Sequence, residues 1–329
     1  MTDRTLGWGL LGTARINRAL IPAIRAATRS RLVGVASRDA DRCAAYAAEW
    51  GIETAYPSYD ALLDDPDVHV VYIPLPNHLH VAWTLRAIAR GKHVLCEKPL
   101  ALTPEEVDRV AAAARERGVV VAEAFMYRHH PLTARVVELV RGGAIGALRA
   151  VRGTFSFPLT RPNDVRLVPE WGGGATWDVG CYPVSYARLL AGAEPVAVTA
   201  QARPGPTGID MGLAGTLIFP DGVLAAVDCA FDAHFRTYIE VAGTDGVLWV
   251  DTPFKPGARS VVHIFKGDET SAIEVTSGTH LYRGEVEDIE RAVLDGAPQG
   301  MSLADSRGNA AALCALLEAA RMGRKVVIQ

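Results

Sequence analysis

Short apolar runs alternate with amphipathic segments through the first 124 residues. Five runs predict buried strands, at 6–11, 31–36, 68–73, 92–96 and 119–122. Strands that are covered on both faces lose the polar alternation, which is typical of a parallel sheet. Helical spacing follows most of these runs, ending near residue 27, spanning about 40–50 and 59–63, running from the end of the loop at 74–80 to about residue 90, and spanning 103–117. This strand–helix alternation predicts a doubly wound α/β fold.

The pattern changes after Ala124. One amphipathic helix ends at Arg141, and strand-like runs then occur at 148–157, 196–202, 212–219, 223–231, 238–243, 246–250, 260–265 and 272–275. Turn sequences such as Pro220-Asp221-Gly222 separate neighbouring runs. Helical spacing returns at about 282–294 and 302–322. We therefore expect a nucleotide-binding domain at 1–124 and an α+β domain at 125–329 with one large, mostly antiparallel sheet.

The composition narrows the functional class. The chain has 329 residues, of which 49% are hydrophobic and 22% are charged, and its net charge is −3. A balanced charge predicts no nucleic-acid partner and no anionic membrane surface. There is no signal-peptide pattern at the start and no apolar run of spanning length. The five cysteines form no CxxC pair. We therefore expect a cytoplasmic protein.

The first strand leads directly into a tight turn and a helix. Gly12-Thr13-Ala14-Arg15-Ile16-Asn17 stands where a dinucleotide-binding fold has its glycine-rich turn, although Ala14 and Asn17 replace two of the glycines. Thr13 to Ile16 would meet a pyrophosphate at the helix N-terminus, where free N–H groups favour an anion. An ordinary strand–helix turn would explain the same residues about as well.

The end of the second strand bears on the choice of cofactor. Ser37-Arg38-Asp39 follows that strand, where an NAD-specific fold has an acid for the ribose hydroxyl. A hydroxyl and a guanidinium suit a 2′-phosphate, because arginine binds phosphate with two hydrogen bonds. Asp39 is either the ribose acid or the N-cap of the next helix. We favour NADP, and NAD remains possible.

A lysine follows the strand that ends near Cys96. Proline restricts the backbone of the residue before it, so Pro99 holds Lys98 at the carboxyl end of the strand, where such sheets bind ligands. A lysine there can polarise or protonate an oxygen atom. The alternative is a solvated loop lysine beside Glu97.

An acid and a phenol lie together in the second domain. Asp178 and Tyr182 are four residues apart after three glycines, so on a helix they share one face. They are a candidate proton-transfer pair, and a lysine cation nearby would lower the pKa of the phenol. The glycines would let the backbone approach a ligand. The alternative is an N-cap aspartate and a core tyrosine. The four histidines His78, His80, His129 and His130 lack a ligand pattern, and no metal is expected.

Together these motifs resemble the Gfo/Idh/MocA oxidoreductases. The likeness rests on the following segments: Gly12-Thr13-Ala14-Arg15-Ile16, Pro76-Asn77-His78-Leu79-His80, Gly91-Lys92-His93-Val94-Leu95-Cys96-Glu97-Lys98-Pro99, Glu123-Ala124-Phe125-Met126-Tyr127-Arg128 and Gly172-Gly173-Gly174-Ala175-Thr176-Trp177-Asp178-Val179-Gly180-Cys181-Tyr182-Pro183. Tyrosine at 182, where many members have histidine, is similar to the branch of xylose dehydrogenase, dimeric dihydrodiol dehydrogenase and glucose–fructose oxidoreductase.

The resemblance implies a Rossmann domain and an open-sheet α/β domain, with the substrate between them. It implies Lys98, Asp178 and Tyr182 as catalytic residues, with Tyr182 as the acid/base. The implied cofactor-binding residues are Gly12, Thr13, Ala14, Arg15, Ile16, Ser37, Arg38, Leu75, Pro76, Asn77, His80, Glu97, Lys98, Arg128 and Trp171. It also implies a homo-oligomer, a dimer or tetramer, that associates through the C-terminal sheet.

The expected activity is NADP-dependent hydride transfer on a small-molecule carbohydrate or cyclic diol. The alternatives are a ketoreductase of a keto-sugar, which could be nucleotide-linked, and a trans-dihydrodiol dehydrogenase. A non-catalytic NADP-sensing regulator is a third reading of the same fold. The Lys98, Asp178 and Tyr182 set favours an enzyme, because a sensor does not need to keep it.

Overall fold

A computed structural model describes residues 5–328. Its first elements are β1 (Leu6–Leu11), α1 (Asn17–Ala26), β2 (Ser30–Ala36), α2 (Ala40–Trp50), β3 (Thr54–Tyr56), α3 (Tyr59–Asp64), β4 (Val70–Ile73), α4 (Asn77–Ala89), β5 (His93–Glu97), α5 (Pro104–Arg117), β6 (Val121–Ala124) and a 3-10 turn at Met126–His129. The others are α6 (Pro131–Arg141), β7 (Leu148–Ser156), 3-10 turns at Val165–Leu167 and Pro169–Trp171, a π-helical turn at Thr176–Gly180, α7 (Cys181–Ala191), β8 (Ala197–Pro204), β9 (Asp210–Ile218), β10 (Leu224–Ala230), β11 (Arg236–Gly243), β12 (Val247–Val250), β13 (Arg259–Lys266), β14 (Glu269–Thr276), α8 (Arg283–Asp295), α9 (Leu303–Met322) and β15 (Val326–Val327).

The chain divides into two compact units. The first contains the chain up to Ala101, Glu105–His129 and Thr279–Ser306, and the second contains Leu102–Pro104, His130–Gly278 and the chain from Arg307 onward. The sequence-based division places 279–306 in the second domain instead. These residues join the first unit because Val286 and Ile289 of α8 are fully buried in the core of its sheet. The apolar spacing of a helix does not say which sheet it covers.

A six-stranded parallel sheet forms the first unit. Its strand order is β3-β2-β1-β4-β5-β6, and every residue of β1 and of β4 is buried. The sequence predicts the longer strands because strands buried on both faces are continuous apolar runs. The chain leaves β1 toward β2 and later returns to pair β4 on the other side. This reversal opens a crevice at the carboxyl ends of the strands, where folds of this kind bind ligands.

The second unit contains a nine-stranded sheet in the order β14-β13-β12-β11-β7-β10-β9-β8-β15. Only β7 and β10 pair in parallel among its described strands, and the other pairs are antiparallel. Side chains alternate across it: Ile239 and Val241 are buried, whereas Glu240 between them is partly exposed. Helix α7 packs against β7. The predicted fold class, a doubly wound parallel sheet plus a mostly antiparallel sheet, is confirmed.

Several elements lie outside the ranges that the sequence pattern predicts. Strand β3 has three residues and β15 has two, which is too short for a periodicity to register. Helix α7 (Cys181–Ala191) lies outside the predicted helical ranges, and so does the π-helical turn at Thr176–Gly180 that precedes it. No helix within residues 5–328 has both the length and the apolar character needed to cross a bilayer.

Candidate active site

The turn after β1 is shaped by Gly12. Its φ of 107° lies in the left-handed region, and a Cβ there would come within 3.3 Å of a Leu75 methyl carbon. Asn17 is fully buried, and its side-chain nitrogen donates to the Gly12 carbonyl at 2.8 Å. The residue that replaces the last glycine therefore fixes the turn itself. The first turn of α1 carries no acidic side chain, so nothing there repels an anion.

The loop after β2 resolves the two readings of Asp39. Its carboxylate accepts a hydrogen bond from the Arg42 N–H at 3.0 Å, which makes it the N-cap of α2. Ser37 is buried, and its Oγ accepts from the Asp39 N–H at 3.3 Å. Arg38 and Arg42 are both exposed, and Arg42 reaches the Thr13 carbonyl at 3.4 Å. Arg42 is thus a second exposed arginine close to the turn after β1, in addition to the expected Arg38.

His80 is buried with each ring nitrogen close to a backbone carbonyl oxygen. The imidazole is 1% exposed, with Nδ1 2.7 Å from the Pro99 carbonyl and Nε2 2.6 Å from the Leu75 carbonyl. Burial lowers its pKa to about 4. We therefore interpret His80 as a link between the loop after β4, with Leu75, Pro76 and Asn77, and the turn that holds Lys98. Its predicted place among the cofactor-binding residues stays a prediction.

Buried acidic and phenolic side chains lie close to Glu97, the last residue of β5. Tyr72 donates its hydroxyl to Glu97 Oε1 at 2.6 Å. Glu285 on α8 is 1% exposed, and neither of its carboxyl oxygens has a hydrogen-bond partner among residues 5–328. Burial and the charge of Glu97 raise the pKa of Glu285 well above its ordinary range, and the same causes raise that of Tyr282. Glu97 and Lys98 are themselves only half-buried.

Two weaker candidates occupy different units. Arg128 follows β6 in the first unit, and its side chain is 7% exposed and pairs with Asp305 at 2.6 Å. Trp171 lies in the second unit on a 3-10 turn and is 40% exposed. Nothing in these contacts assigns either side chain to a cofactor. Their predicted role remains a prediction.

Asp178 lies in the π-helical turn that precedes α7. Such turns are rare and occur frequently at functional sites. Its carboxylate oxygen Oδ2 accepts a hydrogen bond from Arg166 Nε at 2.7 Å, and the side chain is 13% exposed. Asp178 and Asp164 together raise the pKa of the Arg166 guanidinium. Asp178 is therefore neither an N-cap nor a free acid, but one half of an ion pair.

The three glycines before this turn make room for the protein backbone. A Cβ on Gly173 would lie 2.5 Å from the Arg166 carbonyl oxygen, and one on Gly174 would lie 2.1 Å from Asp210 Oδ1. Asp210 Oδ2 in turn accepts from the N–H and the hydroxyl of Thr176, both at 2.7 Å. The expected close approach is real, but its partners are the Arg166 loop and the Asp210 carboxylate.

Tyr182, the second residue of α7, packs among aromatic side chains. It is 4% exposed, with ring centroids 5.3 Å from Phe155 and 5.6 Å from Phe254. The ammonium of Lys255 lies 5.9 Å from the centroid of the same Phe155 ring. Packing on both neighbours fixes the direction of the phenol, as an acid/base group requires.

The predicted site residues are divided between the two units. The first unit holds the following predicted residues at or just after the ends of β1, β2, β4 and β5: Gly12 to Ile16, Ser37, Arg38, Leu75 to Asn77, Glu97 and Lys98. Asp178 and Tyr182 belong to the second unit. No group of three or more potential metal ligands occurs in the part of the chain that the structure describes. The residues that the sequence did not indicate are Asn17, Arg42, Asp164, Arg166 and Glu285.

Two family models match the chain. Residues 6–125 match the model described as "Oxidoreductase family, NAD-binding Rossmann fold", and residues 133–249 match the "GFO/IDH/MocA C-terminal domain". The chain belongs to the Gfo/Idh/MocA oxidoreductases. The family that the motifs suggested is therefore confirmed, and so is its class, an oxidoreductase.

Relatives extend over almost the whole chain. An NADP-dependent D-xylose 1-dehydrogenase of Haloferax volcanii is 39% identical over 322 residues, covering 97% of this chain and 98% of its own. The structure is similar to an aldose–aldose oxidoreductase of Caulobacter crescentus in complex with glycerol, with a TM-score of 0.92, 28% identity and coverage of 99% and 100%. The structure is also similar to a 3-ketoreductase of Actinomadura kijaniata, solved with NADP and TDP-benzene. The TM-score is 0.91 and the identity is 32%, with coverage of 96% of this chain and 98% of the other.

Proposed function

We propose that this oxidoreductase transfers a hydride between the nicotinamide of NADP and a carbon of a sugar or cyclic polyol. The observation that carries the proposal is the set of Lys98, Asp178 and Tyr182 in a chain whose two halves both match the family. The xylose dehydrogenase and the aldose–aldose oxidoreductase support a sugar substrate. These relatives agree with the activity expected from the sequence.

The first unit has features that fit a dinucleotide. The positive φ of Gly12 keeps the turn after β1 free of a Cβ, and α1 begins without an acidic side chain. Arg38 and Arg42 would bind a 2′-phosphate bidentately, with Ser37 beneath them. When bound, NADP supplies the hydride chemistry, and the protein supplies position and electrostatics.

Each catalytic side chain has a separate role in this proposal. Tyr182 exchanges a proton with the reacting oxygen of the substrate, and its fixed ring suits that task. Lys98 would place its ammonium charge beside the same oxygen and would favour the ionised form of the Tyr182 phenol. Asp178 is engaged by Arg166, so we assign it to orienting the substrate and leave proton transfer to Tyr182.

Cofactor choice can be tested separately from catalysis. Replacing Arg42 with alanine should weaken NADPH binding about tenfold, the range for one charged phosphate contact, and should leave NADH binding unchanged. Arg18→Ala on α1 is the control, because Arg18 is exposed and outside the β2 loop. Equal weakening of both cofactors in Arg42→Ala would contradict the assignment of the 2′-phosphate.

The first experiment is a cofactor titration followed by a substrate panel. Purified protein is titrated with NADPH and NADH, and aldoses, inositols and cyclic diols are then added with the oxidised cofactor while absorbance reports the reduced nicotinamide. Turnover of one sugar class with NADP would support the proposal. Turnover only with a nucleotide-linked keto-sugar would favour the 3-ketoreductase alternative. Tight binding of cofactor without any turnover would favour the sensor, and no binding would contradict the whole assignment.

We also propose that a second copy of the chain covers the open face of the nine-stranded sheet. Tyr238 and Trp249 stack there at 4.5 Å while remaining partly exposed. Arg152 lies 3.3 Å from Glu240 on the neighbouring strand. A face that carries both signs of charge and an aromatic pair suits two-fold self-association.

Light scattering should give a dimer or tetramer, and Tyr238→Glu should give a monomer. A monomeric wild type would contradict this. A cytoplasmic location is part of the same proposal.

A further inference from the structure

Arg166 is held by two carboxylates in a fixed orientation. Its Nε donates to Asp178 at 2.7 Å, and its Nη1 donates to Asp164 at 3.1 Å. Asp164 also accepts from the Arg166 backbone N–H at 3.1 Å and is itself 6% exposed. Because a guanidinium is planar, two such bonds fix the direction of the third nitrogen.

The third nitrogen of this guanidinium remains available. Nη2 of Arg166 has no hydrogen-bond partner among residues 5–328, and the side chain is 38% exposed. The loop beneath it is pinned as well, because the Gly174 N–H donates to the Arg166 carbonyl at 3.0 Å. The fixed guanidinium therefore presents Nη2 as a donor beside the carboxylate of Asp178.

The charges around Arg166 decide what the donor can bind. Asp178 and Asp164 contribute two negative charges, and the exposed Arg161 lies 3.9 Å from Asp164. Two carboxylates already balance the positive charge of Arg166, which weakens its attraction for a phosphate or a carboxylate. A guanidinium N–H beside a carboxylate oxygen instead offers one donor and one acceptor, which is the complement of a hydroxyl group.

We propose that Arg166 Nη2 and Asp178 together bind one hydroxyl of a neutral polyhydroxy substrate, so that Arg166 is a substrate-binding residue that determines specificity. This inference rests on the proposed function. It assigns to this position an uncharged part of the substrate, and it places any phosphate of a nucleotide-linked sugar elsewhere.

The test combines Arg166 variants with substrates that lack single hydroxyls. Arg166→Met should lower kcat/KM for the best sugar by about 10- to 100-fold, the range expected when a hydrogen bond to a charged group is lost. One deoxy analogue should show the same loss with the wild type, and no further loss with Arg166→Met. Arg166→Lys keeps the charge but not the fork, and should recover only part of the activity.

The controls separate this inference from the proposed function. Arg161→Gln removes an exposed cation from the same cluster and should leave kcat/KM within about threefold, as for an exposed ion pair. NADPH binding should be unchanged in Arg166→Met and Arg166→Lys, which also reports that both are folded. If the loss of kcat/KM from each deoxy analogue simply added to the loss from Arg166→Met, Arg166 would not bind any of these hydroxyls. That result would overturn this inference and leave the proposed function intact. An inactive wild type would overturn the proposed function itself, and this inference with it.

Discussion

Two largely buried carboxyl groups of this protein are treated in opposite ways. Asp178 in the second unit accepts a hydrogen bond from a guanidinium at 2.7 Å. Glu285 in the first unit is 1% exposed, and both of its oxygens lack a partner among residues 5–328. Asp178 therefore has a cation that favours its charged form. Glu285 faces the negative charge of Glu97, which together with burial raises the pKa of Glu285.

The two carboxyl groups therefore have different roles: Asp178 acts through its negative charge, whereas Glu285 is part of the packed interior. The N-terminus of α8 favours a carboxylate at Glu285 by about 0.3–1 kcal/mol. Leaving such a group buried without a hydrogen bond costs about 1–3 kcal/mol even when it is neutral, and far more when it is charged. Burial therefore outweighs the helix terminus and favours the protonated form of Glu285. We expect changes near Asp178 to alter catalysis and changes at Glu285 to alter stability.

The largest effect should follow from Tyr182→Phe. Phenylalanine keeps the packing on Phe155 and Phe254 but removes the proton-transfer group, so kcat should fall at least about a hundredfold. The free energy of unfolding and NADPH binding should change little. Tyr186→Phe, one turn along α7 in contact with the same Phe254, is the matched control and should retain kcat within about threefold. Similar kcat losses in the two variants would remove Tyr182 from its role.

Glu285→Gln should have the opposite profile, with altered stability and retained turnover. Because the pKa of Glu285 is higher in the folded chain than its ordinary value of 4.5, the folded state binds more protons than the unfolded state above that pH. Stability from this group is therefore lost as pH rises. Glutamine cannot ionise, so the variant should be more stable than the wild type at pH 8, by at least about 1 kcal/mol, the free energy of a single pKa unit. The difference should vanish near pH 4.

Urea unfolding at several pH values measures this effect. Glu287→Gln, on the same helix, is a suitable control because Glu287 is paired with Arg283 at 2.7 Å and lies nearer the solvent. Its stability change should stay within about 0.5 kcal/mol across the same pH range. If Glu285→Gln were less stable than the wild type at every pH, the carboxyl would have to be ionised and held by a partner.

The same contrast explains what the sequence could predict. The parallel strands and the position of Lys98 after β5 follow from apolar runs and from Pro99, because local pattern determines them. The partner of Asp178 could not be predicted, since Arg166 lies twelve positions earlier in irregular chain, with Asp164 and Gly173 fixing it. The burial of Glu285 depends on α8 packing on the first sheet, across most of the chain length.

A smaller effect should follow from weakening the ion pair at its outer partner. Asp164→Asn keeps an oxygen that can accept from Arg166, but removes a charge that helps to raise the pKa of the guanidinium. Asp178 remains, and its charge is the larger cause of that shift. We therefore expect kcat/KM to fall only about 3- to 10-fold, as for one hydrogen bond made weaker rather than deleted, with kcat less affected than KM. Asp178→Asn should fall much further in a parallel assay. Equal losses in the two variants would mean that Arg166 needs both charges, and that the cluster, not Asp178 alone, maintains the site.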